Sequence, residues 1–460
     1  MLAAIGVGSL QEIFDRQIPE GVRLGRELEL PDGLPEQDVY EHLRALAAEN
    51  TSAEEELSFL GGGMYDHYVP ALIDMLMERS EFLTPYTPYQ PEISQGGLQV
   101  MFEYQTAITE LTGLQVSNAS TYEGPSAVAA AAYLAKLDNG RHRLIASAGL
   151  HPHAIETLRT LAHGYGMEVV EVPLRDGVTD PDEWARAIDS DTSAAIFAQP
   201  NFYGAVEDAE ALSRIAKEAA GEPAGGRTPV VVASVDPITL GILRPPGECG
   251  VDVAVGEGQA LGNRLDFGGP SFGLFAAREE YLRRMPGRIA GETTDVDGRR
   301  GFVLTLQTRE QHIRREKATS NICTAQALNA LAGVVYLSWL GRRGLVELAE
   351  LLVRRTAYAR EVLAGIDGVS ALHEQPVVRE FALSLDLPGV ESVRRVIARC
   401  AAERVTPGYA LGRDYPEYAD GLLVAVTEQR SREDIDRLVE VLGRALAAER
   451  AAAPNPGAPA

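Results

Sequence analysis

Between Arg143 and about Arg278, short runs of β-branched and small apolar residues alternate with stretches of helical spacing. The apolar runs read RLIAS, MEVVEVPL, SAAIFAQPN, PVVVASVDP and VDVAVGEG, and close with GGPSFGLFAAR. Helices are predicted between them over His153–His163, Asp182–Ile188 and Glu207–Ala220. Nearly continuous apolar strands alternating with helices predict an α/β domain on a mostly parallel sheet buried on both faces. Ligands of such sheets sit beyond the carboxyl ends of the strands, where the loops gather. A further helix is predicted from about Leu98 to Thr112. A long apolar one runs from about Thr324 to Leu340, with a capping signature, Thr319-Ser320-Asn321, just ahead of it. That helix is the expected connector into a second domain over 345–449, which reads as a helix first, then strands around Phe381–Leu387 and Gly421–Val426, and a last amphipathic helix over Arg432–Ala448.

The first 60 or so residues differ. They mix short helical patterns, such as Asp38–Ala48, with Pro19, Pro31 and Pro35, and show no strand alternation. The expected organisation is an N-terminal arm over 1–65, a large domain over 66–325, a small domain over 326–449 and a disordered, proline-rich tail over 450–460. Near the start of the large domain, Gly61-Gly62-Gly63 is followed by Pro85, Pro88 and Pro91 bracketing Tyr86 and Tyr89. Such a turn region lies on a surface or lines a cleft.

Length and composition narrow the class. A chain of 460 residues has room for about two or three domains. The net charge of −24 argues against a nucleic acid or an anionic membrane surface as partner. Three cysteines, Cys249, Cys323 and Cys400, show no CxxC pairing, so neither a disulfide framework nor a metal site is expected. No apolar run is long enough to span a bilayer, and the start lacks the pattern of a signal peptide. A cytoplasmic protein is expected.

Candidate chemistry gathers at strand ends. Ser117-Asn118-Ala119-Ser120-Thr121-Tyr122-Glu123-Gly124-Pro125-Ser126 runs into an alanine-rich helix, whose N-terminus either cradles a phosphate or is simply capped. Asp236, at the end of PVVVASV, either pairs with a protonated pyridine nitrogen, as in pyridoxal-phosphate enzymes of the aspartate-aminotransferase fold, or serves as a turn residue. His151 and His153 either stack on an aromatic cofactor or are loop histidines. A pyridoxal-phosphate enzyme needs a lysine as Schiff base after a strand near the glycine-rich turn. The turn Gly256-Glu257-Gly258-Gln259-Ala260-Leu261-Gly262-Asn263-Arg264-Leu265-Asp266-Phe267-Gly268-Gly269-Pro270 contains none. The chain has three lysines in all. Lys136 and Lys217 fall on predicted helices as surface residues, and Lys317 lies near a candidate cleft segment.

The run Leu83-Thr84-Pro85-Tyr86-Thr87-Pro88-Tyr89-Gln90-Pro91-Glu92-Ile93-Ser94-Gln95-Gly96, with Phe102-Glu103-Tyr104-Gln105, Asn118-Ala119-Ser120 and Arg315-Glu316-Lys317-Ala318-Thr319-Ser320-Asn321-Ile322-Cys323-Thr324, closely resembles glycine decarboxylase P-protein. The likeness extends from Ile5 to about residue 448. It implies a large domain of the aspartate-aminotransferase-like fold (fold type I) and, where that protein is split in two, the α subunit of an α2β2 assembly. The resemblance also implies pyridoxal 5'-phosphate bound by the partner β subunit, glycine as substrate and the lipoylated H-protein as acceptor. Tyr86, Tyr89, Gln90, Glu92, Ser94 and Gln95 are then candidates for lining the shared pocket, or for a loop that buttresses the subunit interface. Arg315, Lys317, Thr319, Ser320 and Asn321 are candidates for the substrate carboxylate or the lipoyl path, or for a capped turn with solvated charges. Asn118, Ser120, Tyr122, His151 and Asp236 would be a cofactor pocket left over from duplication. Glu123 and Pro125 stand where the family usually has Asp and Ala, and Pro125 removes one N–H from any anion cradle. Arg283, Arg284 and Arg288 are candidates for an H-protein docking patch. Two rivals remain: a self-sufficient pyridoxal-phosphate lyase or decarboxylase using Lys317 or a noncovalent cofactor, and a noncatalytic scaffold of the same fold.

Overall fold

The computed structural model describes residues 1–221, 227–269 and 271–452. The tail expected at 450–460 therefore lies, from Ala453 on, outside the described residues, as does Pro270 of the glycine-rich turn. The chain divides into two compact units, Met1–Ser52 and Ala53 onward. The first holds helices Leu2–Ile5, Leu10–Gln17 and Glu36–Ala47 in otherwise irregular chain. Ser9 caps the second helix by accepting from the Glu12 amide at 3.1 Å.

The second unit is built on a seven-stranded sheet in the order Val116–Ser117, Gly273–Ala277, Val253–Glu257, Val230–Val235, Thr192–Gln199, Arg143–Ser147, Glu168–Val172. The last five strands named pair in parallel, and Gly273–Ala277 runs antiparallel to both of its neighbours. Side chains alternate across the sheet. Ile145, Phe197, Val231 and Leu274 enter a core roofed by helices Gln95–Thr112, Pro181–Ala187 and Ala209–Ala219 and by the first half of Ala327–Ala364. Leu144, Ile196, Val232 and Phe275 enter a second core under Gly124–Asn139 and Pro152–Tyr165. With both faces covered, polar positions are scarce along these strands, which is why they read as continuous apolar runs. Each fully buried side chain such as Phe197 contributes about 1.5–3 kcal/mol.

The helical span Ala327–Ala364 begins about three residues later than the pattern predicts, while its first half ends beside the predicted Leu340 and its second half is the helix expected at the start of the second domain. Thr319-Ser320-Asn321 does not cap it. The Ser320 hydroxyl accepts from the Ile322 amide at 3.0 Å in a local turn, and the chain stays non-helical through Gln326. Gly341, at φ 60° and ψ 177°, breaks the helix in two. Its second half joins helices Val390–Ala402 and Arg432–Ala452 over a four-stranded antiparallel sheet that includes Glu380–Ser384 and Gly421–Ala425. Several pairings had no counterpart in the pattern, among them the following two. Leu57–Ser58 pairs with Val405–Thr406 in a stretch read as strand-free. Ile289–Thr294 and Arg300–Thr305 form a hairpin whose tip carries Asp297-Gly298, a hairpin turn signal. Among the described residues no helix is long and apolar enough to cross a membrane.

Candidate functional site

Three of the segments singled out in the sequence converge on the stretch Met285-Pro286-Gly287-Arg288. Arg288 is only 1% exposed. Its main-chain oxygen accepts from the Ala119 amide at 2.8 Å, and Asn118 donates from Nδ2 to the Pro286 carbonyl at 3.1 Å. Its guanidinium donates from Nη2 to the Tyr89 hydroxyl at 2.9 Å and to the Cys323 carbonyl, and lies 4.8 Å from the centre of the Tyr89 ring. Buried Glu310 supplies the counter-charge at 3.1 Å from Nη1. Thr319 donates to the Met285 carbonyl at 3.3 Å, and Arg309 donates to the carbonyls of Met285 and Gly287. Ser120 accepts from the Gln326 amide at 2.8 Å, fastening the start of the long helix to the same place.

Gln95 anchors the proline-rich run. Its side-chain amide exchanges two hydrogen bonds with the main chain of Phe302, at 2.8 and 2.9 Å, and also donates to the Pro91 carbonyl. Ser94 is the residue preceding helix Gln95–Thr112. Tyr86, Gln90, Glu92, Arg315, Lys317 and Asn321 are exposed, and Tyr89 is 41% exposed although its hydroxyl is held. The two motif runs thus form one surface pinned from below by Arg288.

His151 and Asp236 belong to a different cluster. His151 accepts at Nδ1 from the His153 amide, and its Nε2 meets the Gly62 carbonyl at 2.7 Å. Gly62 donates to Glu380 Oε1 at 2.6 Å, and the Tyr65 hydroxyl donates to the other oxygen of Glu380. Neighbouring Arg379, 4% exposed, sets its Nε 2.6 Å from Asp236 Oδ2 and stacks 3.4 Å over the Tyr65 ring. The other oxygen of Asp236 accepts from the Ile238 amide at 3.1 Å, so the residue is also a turn former.

A carboxylate likewise meets the helix N-terminus considered above for a phosphate. Glu257 accepts from the Gly124 amide at 3.0 Å, from the Gln259 amide at 3.0 Å and from the Ser271 hydroxyl. Burial pushes its carboxyl above the ordinary range, and those hydrogen bonds oppose the shift. Glu123 caps the same helix at the Ser126 amide. Gln259 is fully buried between main-chain groups of Tyr65 and Asn263. Pyridoxal phosphate does not fit here. Its lysine is missing from the turn, a carboxylate holds the helix N-terminus, and an arginine already neutralises Asp236. Tyr122 is exposed, and Asn118 and Ser120 serve the Arg288 cluster instead.

The lysines sit apart from Asp236 and Glu257. Lys136 donates to the Tyr165 carbonyl, and Lys217 pairs with Asp252 at 2.9 Å, less solvated than its helix pattern implied. Lys317 is exposed on the turn Arg315–Lys317. The arginines suggested as a docking patch do not form one. Arg283 is exposed, Arg284 bonds to Leu137 and Asp138, and Arg288 turns inward, because the chain reverses at Pro286-Gly287. Among the described residues no group of acidic, histidine and cysteine side chains could hold a metal ion. Arg288, Glu310, Tyr65, Arg379 and Glu380 carry no local pattern that marks them in the sequence.

The model of the glycine cleavage system P-protein family matches residues 1–442. A protein of Carboxydothermus hydrogenoformans named "Probable glycine dehydrogenase (decarboxylating) subunit 1" is 49% identical over 96% of both chains. A crystal structure of glycine decarboxylase (P-protein) of the glycine cleavage system, in inhibitor-bound form, superposes with a TM-score of 0.88 at 41% identity, covering 97% of each chain. A sphingosine-1-phosphate lyase of Burkholderia pseudomallei shares the fold at 17% identity, with a TM-score of 0.66 over 95% of this chain and 96% of that one.

Proposed function

Since this chain belongs to the glycine cleavage system P-protein family, we propose that it is the α subunit of a split glycine decarboxylase, active only with a β subunit that carries the cofactor lysine. The observation that carries this reading is the lysine-free turn, with Glu257 and Arg379 holding the groups a cofactor would need. The name subunit 1 among full-length relatives supports a partner chain. In this reading the assembly is α2β2 and works in the cytoplasm. Pyridoxal phosphate on β supplies the electron sink for loss of CO2 from glycine. The aminomethyl group passes to the lipoyl arm of H-protein, whose disulfide takes the electrons, so the reaction is an oxidoreduction.

This chain's part is to present Tyr86, Tyr89, Gln90, Glu92, Ser94 and Gln95, with Arg315, Lys317, Thr319, Ser320 and Asn321, as one wall of the shared pocket. A wall of exposed tyrosines and amides can orient the glycine carboxylate and exclude water. The test is to add pyridoxal phosphate to the purified chain, to β, and to both together, then reduce with borohydride and follow CO2 release from labelled glycine. The reading requires activity only in the mixture and a reduced adduct only on β. A reduced adduct on Lys317 of this chain alone, with activity, would overturn it.

A further inference from the structure

We propose that Arg288 is the positioning residue for this wall, acting through Tyr89. The inference rests on the reading above, and it concerns a residue that touches neither solvent nor any of the groups around Asp236. The two motif runs are more than two hundred residues apart in the chain, and each is largely exposed. The Arg288 guanidinium bonds to both of them. One nitrogen, Nη2, serves both the Tyr89 hydroxyl on the first run and the Cys323 carbonyl on the second. The opposite nitrogen, Nη1, faces Glu310, itself 5% exposed. His312 closes the arrangement, its ring edge-on to Tyr89 at 5.4 Å and its Nδ1 3.5 Å from Glu310.

Such an ion pair is a poor means of holding a protein together, because desolvating both charges consumes most of what their attraction returns. What it supplies is direction. The rigid plane of the guanidinium holds Nη2, with its two acceptors, at a fixed angle to Nη1, which faces Glu310, whereas the single, freely rotating ammonium of a lysine cannot reach all three in one fixed orientation. The ring of Tyr89 is thereby fixed in both tilt and reach, while 41% of the residue stays open for a ligand or a partner surface.

The experiment uses the complete αβ complex. Three variants of this chain are prepared: Arg288→Lys, Tyr89→Phe and the paired Arg288→Met with Glu310→Gln, which removes the tether without stranding a buried charge. Each is checked for co-elution with β and for its melting temperature, and kcat and KM for glycine are measured by CO2 exchange. The paired variant and Arg288→Lys should both lower kcat by roughly ten-fold or more. KM for glycine, co-elution and melting temperature should stay close to wild type. Combining either with Tyr89→Phe should cost little more than Tyr89→Phe alone, because both remove the same tether. Wild-type kcat in Arg288→Lys, or full additivity with Tyr89→Phe, would overturn the inference while leaving the subunit reading intact. Decarboxylation by β without this chain would remove the reading itself. If the paired variant fails to fold, Arg288→Lys with Tyr89→Phe decides the matter alone.

Discussion

A histidine whose two ring nitrogens are both committed has no room for a second proton. His151 accepts the His153 amide at Nδ1, so the hydrogen rides on Nε2 and points at the Gly62 carbonyl. Protonation would place an N–H against an N–H, and burial, the larger effect, pushes the pKa down from 6.5 to about 4. Above the unfolded pKa the side chain is neutral in both states and costs nothing. As the pH falls from about 6.5 towards 4, the unfolded chain takes up a proton that the folded one refuses, a destabilisation of about 2–3 kcal/mol by pH 4. Urea midpoints at pH 7.5 and pH 5 should therefore lie closer together for His151→Gln than for wild type; equal spacing would show that the histidine does not titrate on unfolding. Asp236 offers the opposite case, a charge already paired. Asp236→Asn leaves Arg379 buried without its partner and should cost about 3–5 kcal/mol. A smaller loss in urea unfolding would mean that the stack on Tyr65 and the nearby carboxylates of Glu380 and Glu428 hold the arginine without Asp236.

Among the elements, the strands of the large sheet were the most legible, since burial on both faces leaves small or apolar residues at nearly every position and turn residues between them. RLIAS is the strand Arg143–Ser147 to the residue. The hairpin Ile289–Thr294 with Arg300–Thr305 escaped because one face stays wet and its alternation is diluted by glycine, threonine and arginine. The start of the long helix was placed about three residues early because Thr319-Ser320-Asn321 looks like a cap and instead closes a local turn. Its far end was legible, since the apolar pattern fades at Leu340 on the passage from the large core to the small one and a second helix follows. Gly341 marks that passage. Its φ of 60° with ψ near 180° is a region reserved almost wholly for glycine, and a Cβ there would meet nothing within 4 Å. Gly341→Ala therefore pays a conformational penalty with no steric one, about 1–3 kcal/mol. A lowered melting temperature in calorimetry should report it, and an unchanged one would mean that the two halves straighten freely into a single helix.

On the scale of the whole molecule, the fold class and the motif runs were readable because each is local in sequence, whereas the site is not. Arg288 joins residues 89, 119 and 323, Arg379 reaches Asp236 from another sheet, and nothing near either arginine announces the distant partner. Charge shows the same separation between composition and arrangement. The chain carries an excess of 24 negative charges, yet many of its ion pairs are exposed and close in sequence, such as Arg343 with Glu347 and Arg214 with Glu218. Pairs of that kind contribute about 0–1 kcal/mol each and weaken with salt. The unbalanced charge repels over longer distances and is screened too, with a Debye length of about 10 Å at 0.1 M and 3 Å at 1 M. Because the excess is spread over the surface while the pairs are individually weak, relief of repulsion should outweigh loss of the pairs. The melting temperature in sodium chloride should then rise by roughly a few degrees between about 0.01 M and 0.5 M and level off once the Debye length falls below the spacing of surface charges. A steady fall over the same range would mean that the arginine–carboxylate pairs, taken together, outweigh the net charge.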